Sequence, residues 1–61
     1  MTRGYLVNEF DEKVGFYNIN GVNEYYVNLY NNPIGYMTEK QLRSYALDLG
    51  LNTVESRHIN F

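Results

Sequence analysis

The stretch Val14-Gly15-Phe16-Tyr17-Asn18-Ile19-Asn20-Gly21-Val22-Asn23-Glu24-Tyr25-Tyr26-Val27-Asn28-Leu29-Tyr30 decides the fold. Two runs rich in aromatic and β-branched residues, which suit a pleated and half-buried surface, flank Asn20-Gly21. That dipeptide is the strongest short hairpin signal, because a two-residue type I′ turn needs positive φ at both central positions and few side chains tolerate it. With Asn20 and Gly21 as the whole turn, Val14, Phe16, Tyr25, Val27 and Leu29 share one face of the hairpin. Gly15, Tyr17, Ile19, Val22, Glu24, Tyr26 and Asn28 share the other, and Tyr30 continues it along the strand. The first set is the more uniformly apolar, so it is expected to form the core.

Working outward, residues 4–10 read as a preceding strand, separated from the hairpin by the polar Asp11-Glu12-Lys13. A two-residue loop there places Tyr5 and Val7 on the core face, whereas a three-residue loop places Leu6 and Phe10 there; the second is preferred because it keeps the charge of Glu9 away from the core. On the other side, Asn31-Asn32 reads as turn chemistry, and Pro33 marks the point where the hydrophobic period changes from two to that of a helix. Thr38 and Gln41 have the spacing of a capping box, and Met37 and Leu42 that of a hydrophobic staple. Leu42, Tyr45, Ala46 and Leu49 fall on one stripe, and Gly50 supplies a left-handed stop. In the tail, Arg57-His58-Ile59-Asn60-Phe61 alternates polar and apolar residues and reads as a short returning strand.

The expectation is one small α+β domain over residues 1–61. It consists of a three-stranded antiparallel meander, one helix packed on one sheet face, and a short C-terminal fourth strand.

With 61 residues, a net charge of −2 and no cysteine, the chain has room for one core and no disulfide staples. Its single histidine has only carboxylates to join it, so no metal site is expected, and no cofactor motif is present. Gly15, Gly21, Gly35 and Gly50 each have a turn, packing or cap explanation rather than a phosphate-binding spacing. Ser44 and Ser56 lack a base and an oxyanion motif, and the acidic residues Glu9, Asp11 and Glu12 cluster at a turn. These features argue against an enzyme. The absence of cysteine, of a signal-peptide core and of an apolar run of about 18 residues leads to the expectation of a cytoplasmic protein without a membrane segment.

What stands out is seven tyrosines and nine asparagines. One short helix can cover only one face of the sheet, which leaves Tyr17, Ile19, Val22, Tyr26, Asn28 and Tyr30 on the other. Uncovered sheet faces ordinarily alternate to Lys, Glu and Thr, whereas exposed tyrosine is a favoured contact residue. Those six residues are the candidate protein-binding face, for a host protein or for a second copy. The same residues are also simply good strand formers, and cross-strand aromatic pairs stabilise a sheet without any partner.

The order of strands and helix from Tyr25-Tyr26-Val27-Asn28-Leu29-Tyr30 through Thr38 to Ala46 resembles, in topology only, the amino-terminal DNA-binding domains of tyrosine-family integrases. That resemblance implies a small nucleic-acid-binding domain that uses its sheet, although the arginines and lysines expected on such a face are missing here. In size, Asn and Tyr richness and lack of machinery, the chain is similar to small accessory proteins of phages and mobile elements in bacteria with AT-rich coding. That likeness implies a protein that binds and modulates, by inhibition, a protein of the bacterial host cytoplasm.

Overall fold

The computed structural model describes residues 3–56. Its elements are β1 (Arg3–Val7), β2 (Lys13–Ile19), β3 (Tyr25–Leu29), β4 (Asn32–Met37), α1 (Glu39–Asp48) and β5 (Asn52–Glu55). All five strands form one antiparallel sheet in the order β4-β3-β2-β1-β5, and the helix packs against one face of it. The α+β class with one helix is as expected, but the meander has four strands before the helix rather than three. The expected strand over residues 57–61 lies outside the described residues. Within them, the strand that follows the helix is β5, and it pairs with β1.

The helix follows its sequence signals closely. The Thr38 hydroxyl accepts from the Gln41 backbone N–H at 3.2 Å, and the Thr38 N–H donates to the Gln41 side chain at 2.9 Å. At the other end Gly50 has φ +70, the Leu51 N–H donates to the Ala46 carbonyl at 2.8 Å, and the Gly50 N–H to Leu47 at 3.1 Å. This paired pattern is a Schellman stop. It turns Leu51 back under the helix into the core, while Leu49, expected on the buried stripe, sits at the helix cap half exposed. The core consists of Leu6, Tyr17, Tyr25, Val27, Leu29, Leu42, Ala46 and Leu51, with Val14, Met37 and Tyr45 packed around it.

The hairpin between β2 and β3 departs from the expected register. Tyr17 lies opposite Val27 and Ile19 opposite Tyr25, so the connection is the five-residue loop 20–24 rather than a two-residue turn. Gly21 and Asn23 take its positive φ values, +78 and +57. This shift leaves the parity of β3 as expected and inverts that of β2 from Gly15 to Ile19, while the register shift beside Lys13 keeps Val14 packed against the core as expected. Tyr17 is therefore completely buried and Phe16 faces outward, the reverse of the expectation.

Packing explains why the local turn signal loses. In the observed register the Tyr17 ring lies over Gly4 of β1, and it meets Tyr25 edge-on with ring centroids 5.8 Å apart. On the same side Gly15 lies directly opposite Leu29, where a side chain would fall on the Asn28 carbonyl oxygen and meet Leu29 Cδ1 at 3.1 Å. Two glycines thus open the helix-facing surface of β1 and β2 for large neighbours. Leu6 is buried as expected. Phe10 is not, because it belongs to a turn organised by Asn8, whose side-chain oxygen accepts from the N–H groups of Phe10 (2.9 Å) and Glu12 (3.0 Å).

The two-residue turn with both residues at positive φ is found one hairpin later, at Tyr30 (φ +51) and Asn31 (φ +64), joining β3 to β4. Tyrosine is a poor occupant of that conformation. We therefore expect Tyr30→Asn to raise stability by about 1 kcal/mol, seen as a higher urea midpoint at unchanged m-value. Pro33 and Gly35 (φ +128) are tolerated inside β4 because it is an edge strand and its register shifts beside them.

Candidate interaction surface

The face of the sheet away from the helix is built by the residues that alternate with the core positions. One cross-strand row runs Val54, Tyr5, Phe16, Asn28 over β5, β1, β2 and β3. The next runs Arg3, Asn18, Tyr26, Tyr36 over β1 to β4. Aromatic rings step between these rows: Phe16 and Tyr26 have centroids 6.2 Å apart, and Tyr26 and Tyr36 5.6 Å apart. With Tyr5 directly opposite Phe16, a band of four aromatic side chains crosses four strands. No described helix or loop is packed over it as α1 is over the opposite face.

Beside the band lies an open groove of about 360 Å³, lined among others by Tyr5, Lys13, Phe16, Asn28, Tyr30 and Asn31. The Lys13 ammonium stands 4.3 Å from the centre of the Tyr5 ring, a cation–π contact that holds the charge at the groove wall. Electrostatically the face is one-sided. Its charged strand residues are Arg3 and Lys13, whereas Glu9, Asp11, Glu12 and Glu24 sit in loops, Glu39 and Asp48 on the helix, and Glu55 opposite Gly4 on the helix side.

Of the six residues expected on the binding face, Tyr26 and Asn28 are on it, both half-buried. Tyr30 borders the groove from the turn and is largely exposed. Ile19, on the helix side by register, is half exposed at the strand end, and Val22 is exposed in the loop, so both stand away from the aromatic band. Tyr17 is excluded, since it is buried under the helix. The face also contains Tyr5, which the preferred register of the first strand already turns away from the core, together with Phe16 and Tyr36, which the expected hairpin register and the unrecognised β4 had hidden.

Tyr17 has its own chemistry. Its hydroxyl is buried without a hydrogen-bond partner among the described residues. Burial, reinforced by the negative charge of Glu55, pushes its pKa above the ordinary 10.0. Above pH 10 the unfolded chain releases this proton while the native state retains it, so stability present below that pH falls as pH rises toward the native pKa. Tyr17→Phe removes both the unpaired hydroxyl and this loss. We expect the variant to be about 1 kcal/mol more stable at pH 7. Its advantage should widen as pH rises above 10, measured by urea unfolding at pH 7, 10 and 11.

Among the described residues no group of three or more His, Cys, Asp or Glu side chains is placed to hold a metal ion, and no helix is long and apolar enough to cross a membrane. Compared with protein families, with curated proteins and with solved structures, the chain matches none of them.

Proposed function

We propose that the chain is a non-catalytic interaction module that binds another protein through the open face of its sheet. The observation that supports this reading is the aromatic band of Tyr5, Phe16, Tyr26 and Tyr36, spread over four strands with no described element packed over it. Aromatic residues supply large contact area at little entropic cost and dominate the energetics of protein interfaces. Cross-strand contacts among these rings add to the stability of the sheet, but a solvated sheet face ordinarily alternates to polar side chains instead of carrying four aromatic ones. On this reading the chain modulates its partner by occupying it. The nucleic-acid alternative is weakened by a face on which, among the described strand residues, the cations are Arg3 and Lys13, since backbone phosphates are held mainly by Lys and Arg.

The test uses Phe16→Thr/Tyr26→Thr, which keeps strand propensity while removing two rings from the centre of the band. Circular dichroism should show the fold retained. Affinity capture from a bacterial lysate, scored by mass spectrometry against the wild-type chain, should lose its principal captured protein by tenfold or more. Identical capture by both proteins would place the working surface elsewhere.

A further inference from the structure

Asn20-Gly21 does not form the tight turn that its sequence favours, and the loop it occupies instead leaves it chemically open. Of the nine asparagines in the chain, Asn20 is the one followed by glycine. The backbone nitrogen after an asparagine can reach the side-chain amide carbon and close a five-membered ring, and glycine, with no Cβ, leaves that nitrogen unshielded. A two-residue turn would fix both residues between paired strands. In the observed register they belong to the loop 20–24, whose five residues are all exposed, and of the two only Gly21 has positive φ. The Gly21 N–H donates to no described residue, and apart from its chain neighbours nothing lies within 4 Å of where a side chain at Gly21 would stand. Other asparagines lack this combination. The Asn8 side-chain oxygen is held by the N–H groups of Phe10 and Glu12, Asn18 and Asn28 lie in paired strands, and Asn32 precedes Pro33, which has no N–H to lose.

We propose that Asn20 is a site of spontaneous deamidation. The Gly21 nitrogen gives its proton to hydroxide and attacks Asn20 Cγ; the N–Cγ bond forms, the Cγ–Nδ2 bond breaks and ammonia leaves. Water then opens the resulting succinimide. Addition at Cγ gives aspartate, and addition at the main-chain carbonyl carbon gives isoaspartate, in which the backbone runs through the former side chain. The sequence consumes one water and neither an oxidant nor a reductant. Glu24 gives the product its consequence. Asn20 Nδ2 donates to Glu24 Oε1 at 3.3 Å and the Asn20 N–H donates to the Glu24 carbonyl at 2.7 Å, so the two residues face each other across the loop. Aspartate replaces the amide donor with a second carboxylate, in a chain whose net charge is already −2. Isoaspartate lengthens the backbone next to the Ile19–Tyr25 pair, and Tyr25 belongs to the core. Both products loosen the end of the β2–β3 hairpin.

The full chain is incubated at pH 8 and about 37 °C, native and, in parallel, in guanidinium chloride above its unfolding transition, and the peptide containing residue 20 is followed by liquid chromatography and mass spectrometry. Native protein should convert that peptide into two products of equal mass and different retention, aspartate and isoaspartate, at a rate less than tenfold below that of the unfolded chain. Gly21→Ala should slow the conversion at least tenfold in both states, and Asn20→Gln, which would have to close a larger ring, should abolish it. Native conversion more than tenfold slower than unfolded, faster loss at another asparagine, or a rate indifferent to Gly21→Ala would overturn the proposal. Asn20→Asp supplies one product in homogeneous form. At low salt it should lower the urea midpoint of the wild-type chain more than that of Glu24→Gln; an equal loss in both backgrounds would overturn the part given to Glu24.

Discussion

Tyr17→Lys is expected to unfold the domain, whereas Phe16→Lys should leave it folded. Tyr17 has no exposed surface, lies under the helix and borders Gly4 and Tyr25, so a lysine there would place an unpaired ammonium in the core. A domain of this length has only about 3–9 kcal/mol of stability in total, and that substitution removes most or all of it. Phe16 is half-buried on the open face, where a lysine can extend its ammonium into water. Its loss should cost about 1 kcal/mol, the worth of its cross-strand contact with Tyr26. Thermal melts followed by far-ultraviolet circular dichroism separate the outcomes: no cooperative transition for the first variant, a transition lowered by several degrees for the second. The reverse ranking would mean that Asn20-Gly21 is the whole turn and that the sheet is inside out along β2.

Gly4→Ala, the smallest possible change, is expected to be nearly as severe, at about 3 kcal/mol. A methyl group there falls on the Tyr17 phenol and the Val54 carbonyl oxygen together, and neither can retreat without moving a strand or emptying the core. The two positions should therefore be coupled. Gly4→Ala/Tyr17→Leu should be less destabilised than the sum of its single variants by 1 kcal/mol or more in a double-mutant cycle read by urea unfolding. Strict additivity would show that Gly4 is required for a reason other than room for the ring.

These two residues also show where reading the sequence succeeds. Both ends of the helix were legible because capping boxes and glycine stops are codes written within a few residues, and Thr38, Gln41 and Gly50 carry them in full. The parity of β3 was legible because Tyr25, Val27 and Leu29 bury the same way in either register, and this placed Tyr26 and Asn28 on the correct side. The facing of β2 was not, since it depends on the fit of Tyr17 over Gly4, thirteen residues away in sequence and on another strand, and that fit outweighs the preference of Asn20-Gly21 for a tight turn. Strand β4 was hidden because Pro33 and Gly35 argue against a strand unless it is known to be an edge. The candidate surface inherited both gaps, losing Phe16 to the first and Tyr36 to the second.

The pairing of β5 with β1 has a consequence for how the molecule comes together. The Ser56 N–H donates to the Arg3 carbonyl at 3.0 Å, and Gly4 lies opposite Glu55, so these contacts join residues about fifty positions apart. Each hairpin of the meander closes a short loop and can form quickly, but the fifth strand closes the longest loop in the fold. Until it docks, β1 presents a row of unpaired backbone N–H and C=O groups, the template on which extended chains aggregate. During synthesis this edge emerges first and is capped last, so the interval before residues 51–56 arrive is when the chain is most exposed to misassembly.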